Sequence, residues 1–527
     1  MTTVNSAQPE SASLWRPLRS ALFRNLLLAD VISDIGTFIQ GVAAAWLMVS
    51  LKAGPMYVAL VQTAAALPFF LLALPAGAVG DIFDRRKVIL LTETTMAAVA
   101  VVLACLSLAG MMSPVLLLIL TFALSAGDAF ETPTWRAVLP ELVQKEDLSS
   151  ASALNGIEFN LARAVGPALG GMLIAFAGVG FAFLVNAVSF IGVIVVVAHW
   201  QRPAVKRTSP PETVAGATVT ALRYVRYSPV IRSVMLRVSV AMFFSSGFLA
   251  LLPSIAHRAN NSAIGYGVLL GGFGFGAVLG AVIMQRARKV WPVDAIISAG
   301  IVVFGLAAIA AGTIRGFWSL CWIMLFAGAS WVSFVSLFNV QVLNRAPDWV
   351  RARVLAITLL GFQGAIAAGS AVWGAVAEHV GLSQALLWAG GGALLSATLG
   401  LFLRIPDRDL DLSPWIHWRV PALAGPDSDL VGPVLVTVEY KVHADQSQEF
   451  LKMMRHYERL RRRDGASRWG VCRDAEFDDR YIETFIVSSW AEHLRQHTRA
   501  IRADVQLDER LHQCFTGEPN VRHLLFL

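Results

Sequence analysis

The chain has 527 residues, of which 56% are hydrophobic and only 15% are charged. Soluble globular domains carry about a quarter charged residues, so this composition excludes an ordinary soluble enzyme or binding domain. The formal net charge of +7 suits excess Lys and Arg in loops beside a membrane, and it does not indicate a nucleic-acid partner. The four cysteines are scattered without the spacing of a zinc site or a disulfide framework, so we expect no metal and no cofactor.

Long apolar segments fill most of the chain. A membrane-spanning helix needs about 20 apolar residues. By that criterion the sequence predicts twelve spans, at roughly 25–50, 57–80, 87–110, 114–134, 155–178, 180–200, 232–256, 264–286, 293–313, 316–341, 352–377 and 383–404. The first twenty residues are polar and have no apolar core, so we expect no cleavable signal peptide.

The basic residues are distributed unevenly between the loops. Twenty Lys and Arg residues fall on the side that would carry both termini, against three (Lys52, Arg258 and Arg315) on the other side. Because cytoplasmic loops are enriched in Lys and Arg, this asymmetry predicts a multi-pass protein of the plasma or inner membrane with both termini in the cytoplasm.

The spans group into two sets of six. Two six-helix bundles are predicted, at 21–200 and 232–405, joined by a cytoplasmic linker at 201–231. An N-terminal segment 1–20 precedes them, and a second linker 406–432 leads to a cytoplasmic domain 433–527. In transporters built from such repeated halves, the substrate site lies near the membrane midplane between them.

The last hundred residues have a different pattern. Apolar residues alternate from Val434 to Val442, which predicts a half-buried strand, and an amphipathic helix is predicted at 445–463. Further strands at 467–474, 481–487 and 521–527 and a helix at 491–500 give the order β-α-β-β-α-β, which predicts a small ferredoxin-like α+β domain. His493 and His497 are four residues apart, and we expect them on a solvated helix face because no third metal ligand has a recognisable spacing.

A short charged turn joins the second and third spans, Gly77-Ala-Val-Gly-Asp81-Ile-Phe-Asp-Arg85-Arg86-Lys87. Its glycine, aspartate and basic pair resemble the loop 2–3 signature of the major facilitator superfamily, although Ile82 and Asp84 replace the usual arginine and glycine. The resemblance implies an all-α major facilitator fold in which Gly77, Asp81, Arg85 and Arg86 latch the two halves on the cytoplasmic side. We also expect the small residues near Gly77 to permit close helix approach.

Three sequence motifs indicate one branch of this superfamily: Leu139-Pro-Glu-Leu-Val, Ala162-Arg-Ala-Val-Gly-Pro-Ala-Leu-Gly-Gly and Phe183-Leu-Val-Asn-Ala-Val-Ser-Phe. They resemble the transmembrane secretion effectors, the branch that contains enterobactin-exporter-like and macrolide-efflux-like proteins, over roughly residues 15–405. The resemblance implies export of siderophores, drugs or other metabolites. The C-terminal domain resembles small antibiotic-biosynthesis-monooxygenase-type domains, which implies a homodimer contact.

Charged residues inside the spans need a reason, because each costs on the order of 2.5–3.5 kcal/mol at membrane depth. Asp30 and Asp34 lie four residues apart, hence on one face of the first span, and two buried carboxylates that repel each other suit a proton carrier. The alternative is that Asp30 lies near the headgroups and Asp34 pairs with a distant arginine.

Five further residues are candidates for a substrate cavity or for ion pairs. Asp128 and Glu131 share a face of the fourth span and could contact substrate or pair with an arginine such as Arg163. Glu158 and Arg163 open the fifth span, where they could pair with each other or meet Asp81. Arg237 in the seventh span needs a carboxylate partner or water, and Asp30 or Asp34 are candidates for that partner.

These observations predict a secondary transporter that exports a small amphipathic molecule by alternating access, in antiport with protons. No Gly-x-x-x-x-Gly-Lys-Ser/Thr phosphate loop occurs in the sequence, which disfavours ATP-driven transport. Two alternatives stay open: a transporter fused to a catalytic monooxygenase-like domain, and a lipid translocase. We expect no catalytic residues, so the expected partners are a small-molecule substrate, protons and the lipid bilayer.

Overall fold

The computed structural model describes residues 13–201, 214–260, 262–406, 411–413, 415 and 432–526. Parts of the predicted N-terminal segment and of both linkers therefore lie outside the described residues. The described chain forms two compact units, one of residues 1–208, 237–337 and 359–402 and the other of residues 209–236, 338–358 and 403–527.

Long helices dominate the chain up to residue 402. Their bounds are α1 Ala21–Ser50, α2 Gly54–Ile82, α3 Arg85–Leu108, α4 Pro114–Leu142, α5 Leu148–Ala177, α6 Val179–His199, α7 Val214–Tyr227, α8 Pro229–Ala250, α9 Leu252–Asn260, α10 Ala263–Ala287, α11 Val293–Thr313, α12 Phe317–Leu343, α13 Asp348–Val380, α14 Leu382–Ala397 and α15 Leu399–Phe402. Within the described residues, twelve segments are long and apolar enough to cross a membrane, with α8–α9 and α14–α15 each forming one span. The prediction of an all-α membrane protein with twelve spans is confirmed.

An even number of spans brings the start of α1 and the end of α15 to the same side of the bundle, here called the terminal side; the other is the distal side. In the first half, α1 packs against α5 and α6, α2 against α4, and α3 against α4 and α6. In the second half, α11 packs against α14.

The two halves of the first unit contact each other from the distal side inward. A Cβ added to Gly171 of α5 would lie 2.8 Å from the Cα atom of Gly267 of α10, so only residues without a side chain permit this approach. Near the same side, the Thr63 hydroxyl of α2 donates to the Ala367 carbonyl of α13 at 3.0 Å. These contacts join the first six spans to the second six at their distal ends.

The C-terminal domain is a four-stranded antiparallel sheet with helices. Its elements are β1 Val434–Val442, α16 Ser447–Asp464, β2 Trp469–Arg473, β3 Arg480–Val487, α17 Trp490–Arg499, α18 Val505–His512 and β4 Phe515–Leu525. The strand order β2-β3-β1-β4 is the one expected for a ferredoxin-like β-α-β-β-α-β chain, so the predicted α+β domain is confirmed. Sequence reasoning missed α18 and placed the start of β4 too late.

The core of this domain follows from the alternation of β1. Val434, Val436, Val438, Tyr440 and Val442 all point inward, where they pack against the apolar face of α16. Gly465 ends α16 with φ +133°, a conformation that L side chains rarely adopt.

Candidate functional site

Six carboxylates gather inside the first half of the helical unit. Asp30 and Asp34 come from α1, Glu93 from α3, Asp128 and Glu131 from α4, and Glu158 from α5. Each lies 8 to 14 residues from the terminal-side end of its helix, which is roughly 12–21 Å at about 1.5 Å per residue. The six side chains thus lie in the middle part of their helices, within about 9 Å of one another in depth along the helix axes.

Two of the carboxylates form a pair between α1 and α5. The Asp34 and Glu158 carboxyl groups lie within hydrogen-bonding reach of each other, and Arg163 lies close enough to Asp34 to interact with its charge. The Arg163 guanidinium also lies 4.7 Å from the centre of the Phe159 ring. Glu158 is buried, and its Oε1 atom has no hydrogen-bond partner among the described residues.

A second pair links α3 and α4. The Glu93 and Glu131 carboxyl groups lie within hydrogen-bonding reach of each other, and the Thr92 hydroxyl donates to Glu131 Oε2 at 3.4 Å. Glu93 is only 2% exposed, and its Oε2 atom has no partner among the described residues. Asp128 accepts a hydrogen bond from the Thr132 hydroxyl at 3.1 Å.

This arrangement favours proton binding. Two carboxyl groups can share a hydrogen bond only when one of them carries a proton, because an ionised carboxylate has no donor. Asp30 lies close enough to Asp34, Glu158, Glu131 and Asp128 to interact with their charges, and that repulsion adds to the cost of burying several carboxylates at once. The cluster can therefore hold protons and release them when solvent or a cation reaches it.

The structure brings together most of the charged residues singled out in the sequence. Asp30, Asp34, Asp128, Glu131, Glu158 and Arg163 all belong to this cluster. Glu131 contacts Glu93 and Thr92, and Glu158 contacts Asp34. Sequence reasoning missed Glu93, although an isolated acid inside an apolar span is itself a signal that could have drawn attention to it.

Arg237 lies apart from the cluster. It is 2% exposed, pairs with Asp294 of α11, and donates to the Ser298 hydroxyl at 3.1 Å. The expectation that Asp30 or Asp34 would be its partner was wrong. Asp294 lies in the first turn of α11, which belongs to the same half of the chain as Arg237 and packs beside it.

The basic pair of the α2–α3 turn contacts its own half. Arg85 forms an ion pair with Glu141 at 2.7 Å, and the Arg86 Nε atom donates to the Val197 carbonyl at 3.1 Å. Asp84, which replaces the glycine of the family signature, caps α3 by accepting a hydrogen bond from the Arg86 amide. These contacts tie the start of α3 to α4 and α6.

The structure says less about Asp81 and Gly77, the other two residues of this motif. The side chain of Asp81 lies outside the described residues. A Cβ added to Gly77 would meet nothing within 4 Å, so the expected close helix approach does not occur at this glycine. Across the described part of the chain, no group of three or more His, Cys, Asp or Glu side chains is arranged to hold a metal ion.

Known transporters resemble this chain in sequence and in fold. The multidrug efflux pump Tap of Mycolicibacterium fortuitum is 25% identical over 74% of this chain and 97% of Tap. The enterobactin exporter EntS of Salmonella choleraesuis is 28% identical over 51% of this chain and 65% of EntS. A bacterial homologue of the human lysosomal transporter Spinster, in an inward-facing and occupied conformation, has a TM-score of 0.60 at 14% identity, over 74% of this chain and 97% of that chain.

The family comparison extends over almost the whole sequence. A sequence model described as transmembrane secretion effector matches residues 12–527. Together with the twelve spans and the major facilitator-type structural neighbour, this match shows a multi-pass membrane transporter. The chain belongs to the transmembrane secretion effector family of major facilitator transporters.

Proposed function

We propose that this protein is a proton-coupled exporter of a small amphipathic molecule, such as a siderophore, a drug or a secondary metabolite. Its terminal side faces the cytoplasm, in keeping with the excess of Lys and Arg in the loops on that side. The observation that carries the proposal is the two carboxyl pairs, Asp34–Glu158 and Glu93–Glu131, buried in the first half.

Asp30 and Asp34 are the proposed coupling residues. Both lie on the face of α1 that meets the other acids of the cluster, and Asp34 has the Arg163 cation beside it. When Asp34 loses its proton, Arg163 stabilises the resulting charge. The proton and the substrate then compete for the same state of the transporter, which is the requirement for antiport.

Alternating access supplies the movement. The two halves pack together at their distal ends, at Gly171–Gly267 and Thr63–Ala367, and an inward-open state needs this closure on the side away from the cytoplasm. Gly77, Asp81, Arg85 and Arg86 form the proposed latch of the opposite, outward-open state, in which the cytoplasmic ends of the halves would come together.

Two relatives indicate the class of substrate. Tap is a multidrug efflux pump and EntS is an enterobactin exporter, and these relatives support the export of a small molecule by this chain. Because the family and these relatives are transporters, the alternative of a catalytic monooxygenase-like domain gains no support from them.

The test uses inverted membrane vesicles that are acidified inside, with a pH-sensitive dye. Adding ethidium or enterobactin to the outside should dissipate the proton gradient and restore dye fluorescence in vesicles that contain the protein. The Asp34→Asn variant should lose this response. Glu146→Gln, an exposed acid of the same half, is the matched control and should keep it.

The assignment of the coupling residues and proton coupling itself can fail separately. A response that survives in both Asp30→Asn and Asp34→Asn would remove these residues from coupling and leave an antiporter. Uptake of ethidium or enterobactin without any change in the proton gradient would contradict proton coupling itself.

A homodimer through the C-terminal domain remains part of the proposal. Strand β4 is an edge of the sheet, and Leu524 and Phe526 at its end are about half exposed. An unpaired edge with apolar side chains is a site at which a second copy can add. Light scattering of the purified protein should give twice the monomer mass, and Leu524→Lys should restore the monomer.

A further inference from the structure

A cleft in the C-terminal domain has no role in the transport proposed above. It lies between the sheet and the helices α16 and α17 and is partly open to solvent. Val436, Phe485 and Val521 form an apolar floor on three neighbouring strands, and Trp415 lies at the wall. An apolar cleft lined by a few polar side chains is typical of a site for a small organic molecule.

Three histidines line the cleft. The His493 Nε2 atom lies 3.3 Å from His497 Nε2 and its Nδ1 atom 3.3 Å from Gln496 Oε1, so both ring nitrogens of His493 have partners. The His523 ring of β4 lies 4.7 Å from the His493 ring. Burial and the neighbouring imidazoles of His523 and His497 lower the pKa of His493 to about 3, and burial also lowers the pKa of His497 and His523, so all three are neutral near pH 7. A ligand hydroxyl would therefore meet the neutral imidazole of His497 or His523.

The expectation of a solvated histidine face was therefore wrong for His493, which is only 4% exposed. A helical period places His493 and His497 on one face, but it does not say which face the sheet covers. The short helix α18 and the early start of β4, both absent from the sequence prediction, change how this side of the domain is enclosed.

The charged residues named below have partners within the domain, whereas one hydrogen-bond donor of the cleft has none among the described residues. Arg461 is held by Glu483 at 3.0 Å, and Asp464 by Arg463 at 2.9 Å, so these charges of the cleft are compensated within the domain. Gln496 Nε2 is buried and has no hydrogen-bond partner among the described residues. An unmet buried donor costs about 1–3 kcal/mol, which a bound acceptor would recover.

The walls of the cleft also contact the transporter segments of the second unit. Arg499, at the end of α17, lies over the Trp349 ring of α13 at 4.6 Å. It also donates to the Asp464 carbonyl at 2.9 Å, and Asp464 lines the cleft. Trp349 in turn packs edge-on against Tyr224 of the linker helix α7 at 5.6 Å. Helix α13 continues as the eleventh span, so an unbroken helix leads from this contact into the membrane.

We propose that the cleft binds a neutral aromatic molecule that carries hydroxyl and carbonyl groups, and that the C-terminal domain senses this molecule through the Arg499–Trp349 contact. The aromatic rings rest on Val436, Phe485 and Val521, a hydroxyl donates to an imidazole, and a carbonyl accepts from Gln496. The sensing role rests on the proposed export function, whereas the binding site does not. Occupancy of the cleft and the Arg499–Trp349 contact are thermodynamically linked, so each changes the other by the same factor.

The test is a fluorescence titration of the full-length protein in nanodiscs with 7-hydroxycoumarin, which has one hydroxyl donor and one carbonyl acceptor. We expect saturable binding at about micromolar concentration, and coumarin, which lacks the hydroxyl, should bind at least tenfold more weakly. His497→Phe should weaken binding of 7-hydroxycoumarin at least tenfold. His456→Asn is the control, because His456 is exposed on α16, outside the cleft.

Gln496→Leu is a second variant in case His497→Phe fails to fold. It removes the unpartnered Nε2 donor together with the 3.3 Å contact between Oε1 and His493 Nδ1, and it should bind at least threefold more weakly. Unchanged affinity in both variants, or equal binding of coumarin and 7-hydroxycoumarin, would overturn the site.

Trp349→Phe tests the sensing contact, and it should change the affinity for 7-hydroxycoumarin at least threefold although Trp349 does not line the cleft. Unchanged affinity would overturn the coupling while leaving the site. The titration uses no proton gradient and no transported substrate, so it succeeds or fails independently of the export function.

Discussion

Buried acids have opposite surroundings in the helical unit and in the C-terminal domain. In the helical unit, Glu93 faces Glu131 and Asp34 faces Glu158. In the C-terminal domain, Glu483 is fully buried but is held by Arg461, the Tyr440 hydroxyl and the Trp469 indole. Removing one partner of a buried ion pair leaves an uncompensated charge and destabilises the fold, whereas buried acids that face each other repel unless a proton is bound.

The arginine beside the acid cluster differs from those of the C-terminal domain. Arg461, Arg463 and Arg499 are each held by a carboxylate of the C-terminal domain, at distances of 2.5 to 3.0 Å. Arg163 interacts with the charge of Asp34, whose carboxyl group also lies beside that of Glu158. Identical Glu→Gln substitutions should therefore have different consequences in the two regions.

The largest effect is expected for Glu483→Gln, which leaves Arg461 buried without its counter-charge. Breaking a buried ion pair costs about 3–5 kcal/mol, so the C-terminal domain should lose most of its protection from hydrogen exchange at β1 and β3. Exchange mass spectrometry on the full chain would measure this. Glu449→Gln, an exposed acid on α16, should have no effect.

The double variant Glu483→Leu with Arg461→Met sharpens this prediction. It removes both charges, so it should recover part of the lost stability, but the Tyr440 hydroxyl and the Trp469 indole still lose an acceptor. Normal exchange in the single Glu483→Gln variant would contradict the view that the pair stabilises the domain.

Glu131→Gln should leave the fold intact and abolish coupling. An amide can donate a hydrogen bond to Glu93 but cannot exchange a proton, so proton-driven transport should fall at least tenfold without a change in thermal stability. Transport in vesicles and unfolding in detergent measure the two quantities. Loss of stability with normal transport would reverse the proposed distinction between the two regions.

Arg163→Gln should have a smaller effect, about a fivefold reduction in transport. The substitution removes the cation beside Asp34, and Asp34 then holds its proton more tightly and releases it more slowly. Raising the external pH should restore part of the rate. If the rate stays equally low at every pH, Arg163 has a structural role.

The smallest effect is expected for the stability of the C-terminal domain, which should depend on pH. The pKa of His493 is lowered to about 3 in the folded domain, while an unfolded histidine titrates near about 6.5. The unfolded state therefore binds more protons between these values, and stability falls as the pH drops below about 6.5. Between pH 7 and pH 5 we expect the unfolding temperature to fall by on the order of 5 °C.

His493→Asn should flatten this dependence, and His456→Asn should not. His497 and His523 contribute in the same direction, because burial lowers their pKa as well, so some dependence should remain in the single variant. An unfolding temperature that rises on acidification in the wild type would contradict the neutral histidine cluster.

Local patterns account for the features that sequence reasoning found. A span needs only a continuous apolar segment, and β1 needs only the alternation from Val434 to Val442, so both can be read from neighbouring residues. The spacing of Asp30 and Asp34 placed them on one helical face for the same reason. Their partners were not readable, because Glu158 is more than a hundred residues away in the chain.

The sequence by itself determined the twelve spans, the fold class and the α+β character of the C-terminal domain, because apolar periodicity decides which faces leave water. Only the tertiary structure decided which buried charges meet. It set Glu93 against Glu131, paired Arg237 with Asp294 and placed Glu483 on the inner face of β3 beside Arg461. Which charges pair depends on how helices and strands that are distant in the chain pack together, and a local sequence pattern does not contain that information.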